Sequence, residues 1–182
     1  TYIYDIFSKK LTEVAPFTVD LLLPSGAENL NYVLYTDESP YKMQREWLDR
    51  LPFDIYSVNV HTGAKRLIGR SYRTAPKWSV NGKWAVMYDP IAQVWNKFDG
   101  ATGKVVNISD AIGYPMFMES YDKPAPAPAY GIAGWTADGN NVFLYDAYDW
   151  WKIDLTGERQ PECLTKGYGR KHGKSIRKMT SN

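Results

Sequence analysis

An all-β fold is predicted by three features of this sequence. Aromatic residues fill 15% of its 182 positions, as 14 Tyr, 7 Trp and 6 Phe, and such side chains favour pleated, half-buried surfaces. Short apolar runs are interrupted by Gly, Asn, Asp and Pro, the texture of strands joined by tight turns. A motif built on Trp and on Asn-Gly or Asp-Gly recurs along the chain.

The runs 31–36 (NYVLYT), 54–60 (DIYSVNV), 83–88 (KWAVMY), 92–98 (AQVWNKF) and 141–145 (NVFLY) read as strands. The stretch 41–50 (YKMQREWLDR) holds good helix formers without Gly or Pro and lies between Pro40 and Pro52. It predicts a helix inserted between two strands. Residues 78–89 (WSVNGKWAVMYD) match residues 135–146 (WTADGNNVFLYD): Trp78 with Trp135, Asn81 with Asp138, Gly82 with Gly139. Asn81-Gly82 and Asp138-Gly139 predict two-residue hairpin turns with positive φ at both central positions.

A second repeated element ends in Thr-Gly, at Thr62-Gly63, Thr102-Gly103 and Thr156-Gly157. Final strands follow at 104–108 and 160–164. Each unit is then four short antiparallel strands, and a repeat of ~40–50 residues built this way is the signature of a β-propeller blade. Three blades are expected, over 15–70, 71–110 and 111–165, forming an incomplete ring. The insertion 113–130 carries a stiff PAPAP run expected at an edge or in an exposed loop. Residues 166–182 read as a basic, solvated connection toward a further blade, with six Lys/Arg and no acid within 166–178.

Composition removes several classes of function. The 22 Lys+Arg against 20 Asp+Glu leave +2, too little for an expected nucleic-acid partner. Cys163 is the only cysteine, so there is no intrachain disulfide and no cysteine-based zinc cluster. His61 and His172 are far apart and lack metalloprotease spacing, and no calcium-loop motif is present. No cofactor or metal is expected, and no apolar run approaches the ~20 residues of a membrane span. The chain starts at Thr1 without a leader and reads as a piece of something longer.

No catalytic residue is expected. The nucleophile elbow G-x-S-x-G is missing; Gly69-Arg70-Ser71-Tyr72-Arg73 lacks the closing glycine. His61 sits beside a Thr-Gly turn and His172 in the basic run, neither in a strand-turn-helix pattern. Asp146 and Asp149, with Asp89 as the repeat equivalent of Asp146, read as turn and strand-end acceptors. Trp78, Trp95, Trp135 and Trp151 occupy repeated strand positions and read as packing between blades. Trp47 and Trp150 are less constrained by the repeat, and one of them is expected to be exposed.

WSVNGKWAVMYD resembles the WSPDGKxxxY repeat of TolB-type and prolyl-oligopeptidase-family propellers. The run 129–151, followed by IDLTG and by LTKGYGRK at 164–171, resembles the propeller of large bacterial prolyl-oligopeptidase-family, dipeptidyl-peptidase-like serine peptidases of Bacteroides type. The resemblance spans about 30–175. It implies a periplasmic or secreted parent that hydrolyses short peptides, with a propeller gating an α/β-hydrolase domain that carries a Ser-Asp-His triad.

That hydrolase half is missing from this chain, so the segment is expected to be inactive alone. Its expected partners are the hydrolase domain and the peptide substrate. In dipeptidyl peptidases a propeller insertion carries acids that hold the substrate amine. Glu38, Arg45 and Glu46 lie on a comparable insertion and are the substrate-binding candidates, although no Glu-Glu pair is present. The alternative is a TolB-like propeller serving as a protein-interaction scaffold. Three blades would also leave two faces open to self-association.

Overall fold

The computed structural model describes residues 1–16, 21–25, 31–48 and 50–179. A hairpin of β1 (Tyr2–Asp5) and β2 (Lys10–Glu13) opens the chain. The first four-stranded sheet holds β3 (Leu21–Leu23), β4 (Tyr32–Asp37), β5 (Phe53–Asn59) and β6 (Lys65–Tyr72). The second holds β7 (Lys77–Trp78), β8 (Trp84–Asp89), β9 (Val94–Asp99) and β10 (Val105–Asn107). The third holds β11 (Ile132–Trp135), β12 (Asn141–Tyr145), β13 (Trp150–Asp154) and β14 (Glu162–Cys163). Within each sheet, strands adjacent in sequence pair antiparallel, giving three simple meanders.

Side chains alternate across a strand, so each sheet has two faces to bury. Ala85 and Met87 of β8 join Leu34, Ile55 and Tyr72 of the first sheet. Their neighbours Val86 and Tyr88 join Val142, Leu144, Trp151 and Ile153 of the third. The second sheet is thus packed between the other two, and the sheets stack in chain order as consecutive propeller blades. Leu34, Ile55 and Leu144 are fully buried; each such side chain contributes about 1.5–3 kcal/mol by leaving water. Three blades make an open arc, short of the ~4–8 in closed propellers.

The outer face of the first blade differs from expectation. Val14 and Ala15 pack there against Val33, Tyr35 and Val58. The segment that follows the opening hairpin covers a face that blade counting alone leaves open.

The repeat motif works through side-chain caps rather than doubly left-handed turns. Gly82 and Gly139 take φ of 66° and 69°, but Asn81 and Asp138 do not have positive φ, contrary to expectation. Ser79 Oγ donates to Asn81 Oδ1 at 2.7 Å, and the same oxygen accepts the Lys83 N–H. Thr136 Oγ1 bonds Asp138 Oδ1, which accepts the Asn140 N–H. The backbone bonds from Gly82 N to Ser79 O and from Gly139 N to Thr136 O close each turn. Ser/Thr and Asn/Asp therefore hold the turn, and only the glycine bends left.

The helix expected over 41–50 is a short 3-10 helix, Ser39–Gln44, with no buried residue. Without an apolar face to bury, so short a segment has nothing to offset helix nucleation. Tyr41 instead pins it to the first blade by donating its hydroxyl to the buried Asp54. Trp47 in this insertion is 77% exposed.

The insertion 113–130 folds onto the second blade. Ile112 and Met116 are buried between blades two and three. Residues 125–127 of the PAPAP run are half-buried, and Ala127 O accepts the Tyr88 hydroxyl at 3.0 Å.

Candidate functional site

A meander sends its connections to two rims. One rim carries the tight turns that close β8, β9 and β12 against their neighbours, including Asn81-Gly82 and Asp138-Gly139. The other carries the irregular segments: 38–48 with 50–52, 109–131, 146–149 and the run after β14. On this second rim β4 and β8 end in Asp37 and Asp89, and Asp146 directly follows β12. Each carboxylate turns the chain by accepting backbone N–H groups from just beyond the strand. Asp37 takes Ser39 N, Asp89 takes Ile91 N and Ala92 N, and Asp146 takes Tyr148 N and Asp149 N.

Asp146 is the one of the three that is fully buried. Its Oδ1 holds the two backbone N–H groups at 2.6 Å each. Its Oδ2 accepts the Trp151 indole N–H and the Arg170 guanidinium, both at 3.0 Å. Burial pushes this carboxyl up. The Asp149 N–H, the Trp151 indole, the Tyr148 N–H and Arg170 together outweigh burial and hold it below the ordinary carboxylate value.

Asp149, only 1% exposed, ties the same rim to the basic run. Its Oδ1 accepts Thr165 Oγ1 at 2.6 Å and Gly169 N at 2.9 Å, and its Oδ2 accepts Arg170 N at 3.0 Å. A Cβ on Gly169 would lie 2.5 Å from Tyr148 O and 2.9 Å from Asp149 Oδ1. Only glycine lets the chain approach this closely. A short helix, α1 (Tyr168–His172), follows from that contact. Further on, Ile176 O accepts the Trp150 indole, and the Arg177 guanidinium lies 4.6 Å from the Tyr145 ring. The basic run is exposed along most of its length but anchored to the third blade at both ends.

Between this run and the connection after the second blade lies a cavity of about 400 Å³, lined by Tyr114, Trp151, Cys163, Arg170 and Lys171 with Asp149. The Arg170 guanidinium sits 3.9 Å over the Tyr114 ring and 5.1 Å from that of Tyr148. A second crevice, of about 370 Å³, lies between blades two and three beside β10 and is lined by Lys97, Asp110, Asp154 and Arg159.

The insertion candidates lie on the same rim, at the first blade. Arg45 pairs with Glu38 at 3.8 Å, and Glu46 is exposed. The structure does not bring them to the Asp146 cluster. His61 Nε2 meets Asn31 Oδ1 at 3.3 Å, and the His172 ring packs 4.3 Å from that of Tyr168. Neither ring is hydrogen-bonded to a serine hydroxyl or a carboxylate among the described residues. Nor, among those residues, does any group of three or more His, Cys, Asp and Glu come close enough to hold a metal ion.

The repeat-signature residues sit at blade junctions. Asn81 Nδ2 donates to Asp138 O at 2.8 Å, joining the turns of blades two and three. Trp78 donates its indole N–H to Leu23 O, and Trp135 packs into the cluster between blades two and three.

Sequence reasoning missed Arg170 and Tyr114. The signal that could have found Arg170 is the paired glycines of KGYGRK, which break an otherwise basic run where a close approach is needed.

No known protein family matches the chain, and no curated protein matches it in sequence. Among solved structures, TolB from Acinetobacter baumannii is similar at 14% identity, over 90% of this chain and 37% of that one, with a TM-score of 0.42. This chain therefore spans well under half the length of that protein.

Proposed function

We propose that this chain is a non-catalytic arc of a β-propeller, which presents rim loops and crevices to a ligand or a neighbouring domain. One observation carries the reading. The two carboxylates that the fold brings together and buries are consumed by structure: Asp146 accepts four donors and Asp149 three. A carboxyl held ionised by four donors has no proton to give and no lone pair directed at a substrate. The test is labelling with a fluorophosphonate together with a peptidase assay on a panel of short peptides. No labelling and no turnover are expected; turnover abolished by the fluorophosphonate would overturn the reading.

The parent we favour is a prolyl-oligopeptidase-family serine peptidase, periplasmic or secreted, whose hydrolase domain and peptide substrate meet the irregular rim. The motif WSVNGKWAVMYD and the run 129–171 support it. Glu38, Arg45 and Glu46 then face that substrate from the first blade. A TolB-like interaction scaffold has the same arc and needs no hydrolase. The full-length gene separates them: a downstream G-x-S-x-G followed by Asp and His supports the peptidase, and its absence supports the scaffold.

A further inference from the structure

The cavity between Tyr114 and the basic run combines an aromatic wall with a cationic lip. Its volume, about 400 Å³, suits a ligand the size of one amino acid, at the small end of ordinary ligand sites. Tyr114 is 45% exposed and packs 6.0 Å from the Trp151 ring. Of the five N–H donors a guanidinium carries, Arg170 directs Nη2 to Asp146. The two flanking tyrosine rings hold the guanidinium plane in place. Lys171 adds an exposed ammonium beside it. Asp149, the one acid on the wall, is already held by Thr165, Gly169 and Arg170. The crevice beside β10 lacks this asymmetry: acids and bases alternate there, and Lys97 is spent on Leu155 O.

We propose that this cavity binds a small carboxylate with an apolar body. The aromatic or branched part lies against Tyr114 and Trp151, and the carboxylate meets Arg170 and Lys171. Arg170 is suited to this because its planar fork offers paired donors to a carboxylate and its position is fixed before the ligand arrives. Such a group can be a free acid or the last residue of a peptide; both present the same chemistry. The inference goes beyond the scaffold reading and stands whichever parent carries the arc.

Calorimetric titration of the whole chain tests it, with N-acetyl-phenylalanine, N-acetyl-phenylalaninamide and Gly-Gly-Phe as probes. Saturable binding of the acid is expected, with the amide weaker by about tenfold because it forfeits the charge-assisted bonds. Lys171→Gln, which leaves the Asp146 network intact, is expected to weaken the acid several-fold and the amide hardly at all. Tyr114→Leu is expected to weaken both. Binding of Gly-Gly-Phe as tight as that of the acid identifies a peptide C-terminus as the natural group. Binding of the acid alone identifies a free carboxylate. Equal binding of acid and amide, or no saturable heat with either, would overturn the proposal. So would indifference of acid binding to Lys171→Gln and Tyr114→Leu.

Discussion

In the second blade Tyr88 and Trp95 face each other across β8 and β9 with ring centroids 5.5 Å apart; in the third, Tyr145 and Trp150 do so across β12 and β13 at 5.2 Å. Each pair is followed by the strand-end aspartate of the repeat, Asp89 or Asp146. The connection after each blade then folds back over the pair. In the second blade that cover is residues 113–130, whose Ala127 O accepts the Tyr88 hydroxyl. In the third it is the basic run, whose Lys178 N–H is accepted by the Tyr145 hydroxyl. The cross-strand pairing is the same, although the rings meet at 55° in the second blade and 87° in the third, and the chemistry differs. Asp89 stays partly exposed at its turn, whereas Asp146 is sealed under Trp151 and Arg170. The repeat sets where an acid stands; the segment that returns over it decides whether that acid is a solvated turn or a buried ion pair.

The largest effect that this contrast predicts is at the aspartates themselves. In Asp146→Asn the Oδ1 position can still accept the two backbone N–H groups, but an amide NH₂ then faces the Trp151 and Arg170 donors. Breaking a buried pair in this way costs about 3 kcal/mol or more. Asp89→Asn keeps its turn acceptor and is expected to cost less than about 1 kcal/mol. Urea unfolding of both variants measures the difference; equal costs would mean that the Arg170 contact contributes nothing.

The same site sets an acid dependence. The folded pKa of Asp146 is depressed, so its stabilisation is fully present above the unfolded value near ~3.9. It is lost as pH falls through the lower folded value. Wild type should therefore lose stability over that acid window, and Asp146→Asn should lack that part of the slope.

The sequence shows half of this contrast. Five aromatic strands and the turn residues between them are legible because alternation and Asx-Gly chemistry are local properties. The acids Asp89 and Asp146 are legible as turn acceptors for the same reason. Burial of Asp146 is not, because Arg170 arrives from 24 residues further along the chain, and no local pattern encodes that return. Strand β6 is similarly hidden. KRLIGRSY is cationic and broken by Gly69, where the pairing with β5 shifts register and the Tyr72 ring of the same strand folds back; a Cβ on Gly69 would lie 2.5 Å from that ring. The 3-10 helix at Ser39–Gln44 shows the converse. Its residues favour helix, but apart from the Tyr41–Asp54 tether they bury no side chain that would extend it.

A middle-sized effect tests whether the turn rim joins the two blades rigidly. Gly139 and Gly113 are both left-handed, with φ of 69° and 71°. A Cβ on Gly113 meets nothing within 4 Å, whereas one on Gly139 would lie 2.6 Å from the Asn81 backbone nitrogen. Gly113→Ala should cost about 1 kcal/mol, from backbone strain alone. Gly139→Ala should cost at least about 2 kcal/mol, because the turn of the second blade must also move. Equal unfolding midpoints for the two variants would show that the rim yields freely.

The smallest effect separates the two indoles. Trp150 donates to Ile176 O at 2.9 Å, whereas Trp95, 4% exposed, finds no acceptor for its N–H among the described residues. A buried donor left unpaired carries a penalty of about 1–3 kcal/mol. Trp95→Phe removes that penalty while losing ring area, and the two terms oppose. Trp150→Phe loses a made hydrogen bond as well as area, and nothing offsets it. Trp95→Phe should then fall within about 1 kcal/mol of wild type, and Trp150→Phe should cost about 1 kcal/mol or more, although Trp150 is the less buried of the two. The ordering carries the information, since area alone predicts the reverse. If Trp95→Phe proves the costlier substitution, the cover over the second blade satisfies its indole after all, and the two connections are equivalent in chemistry as well as in place.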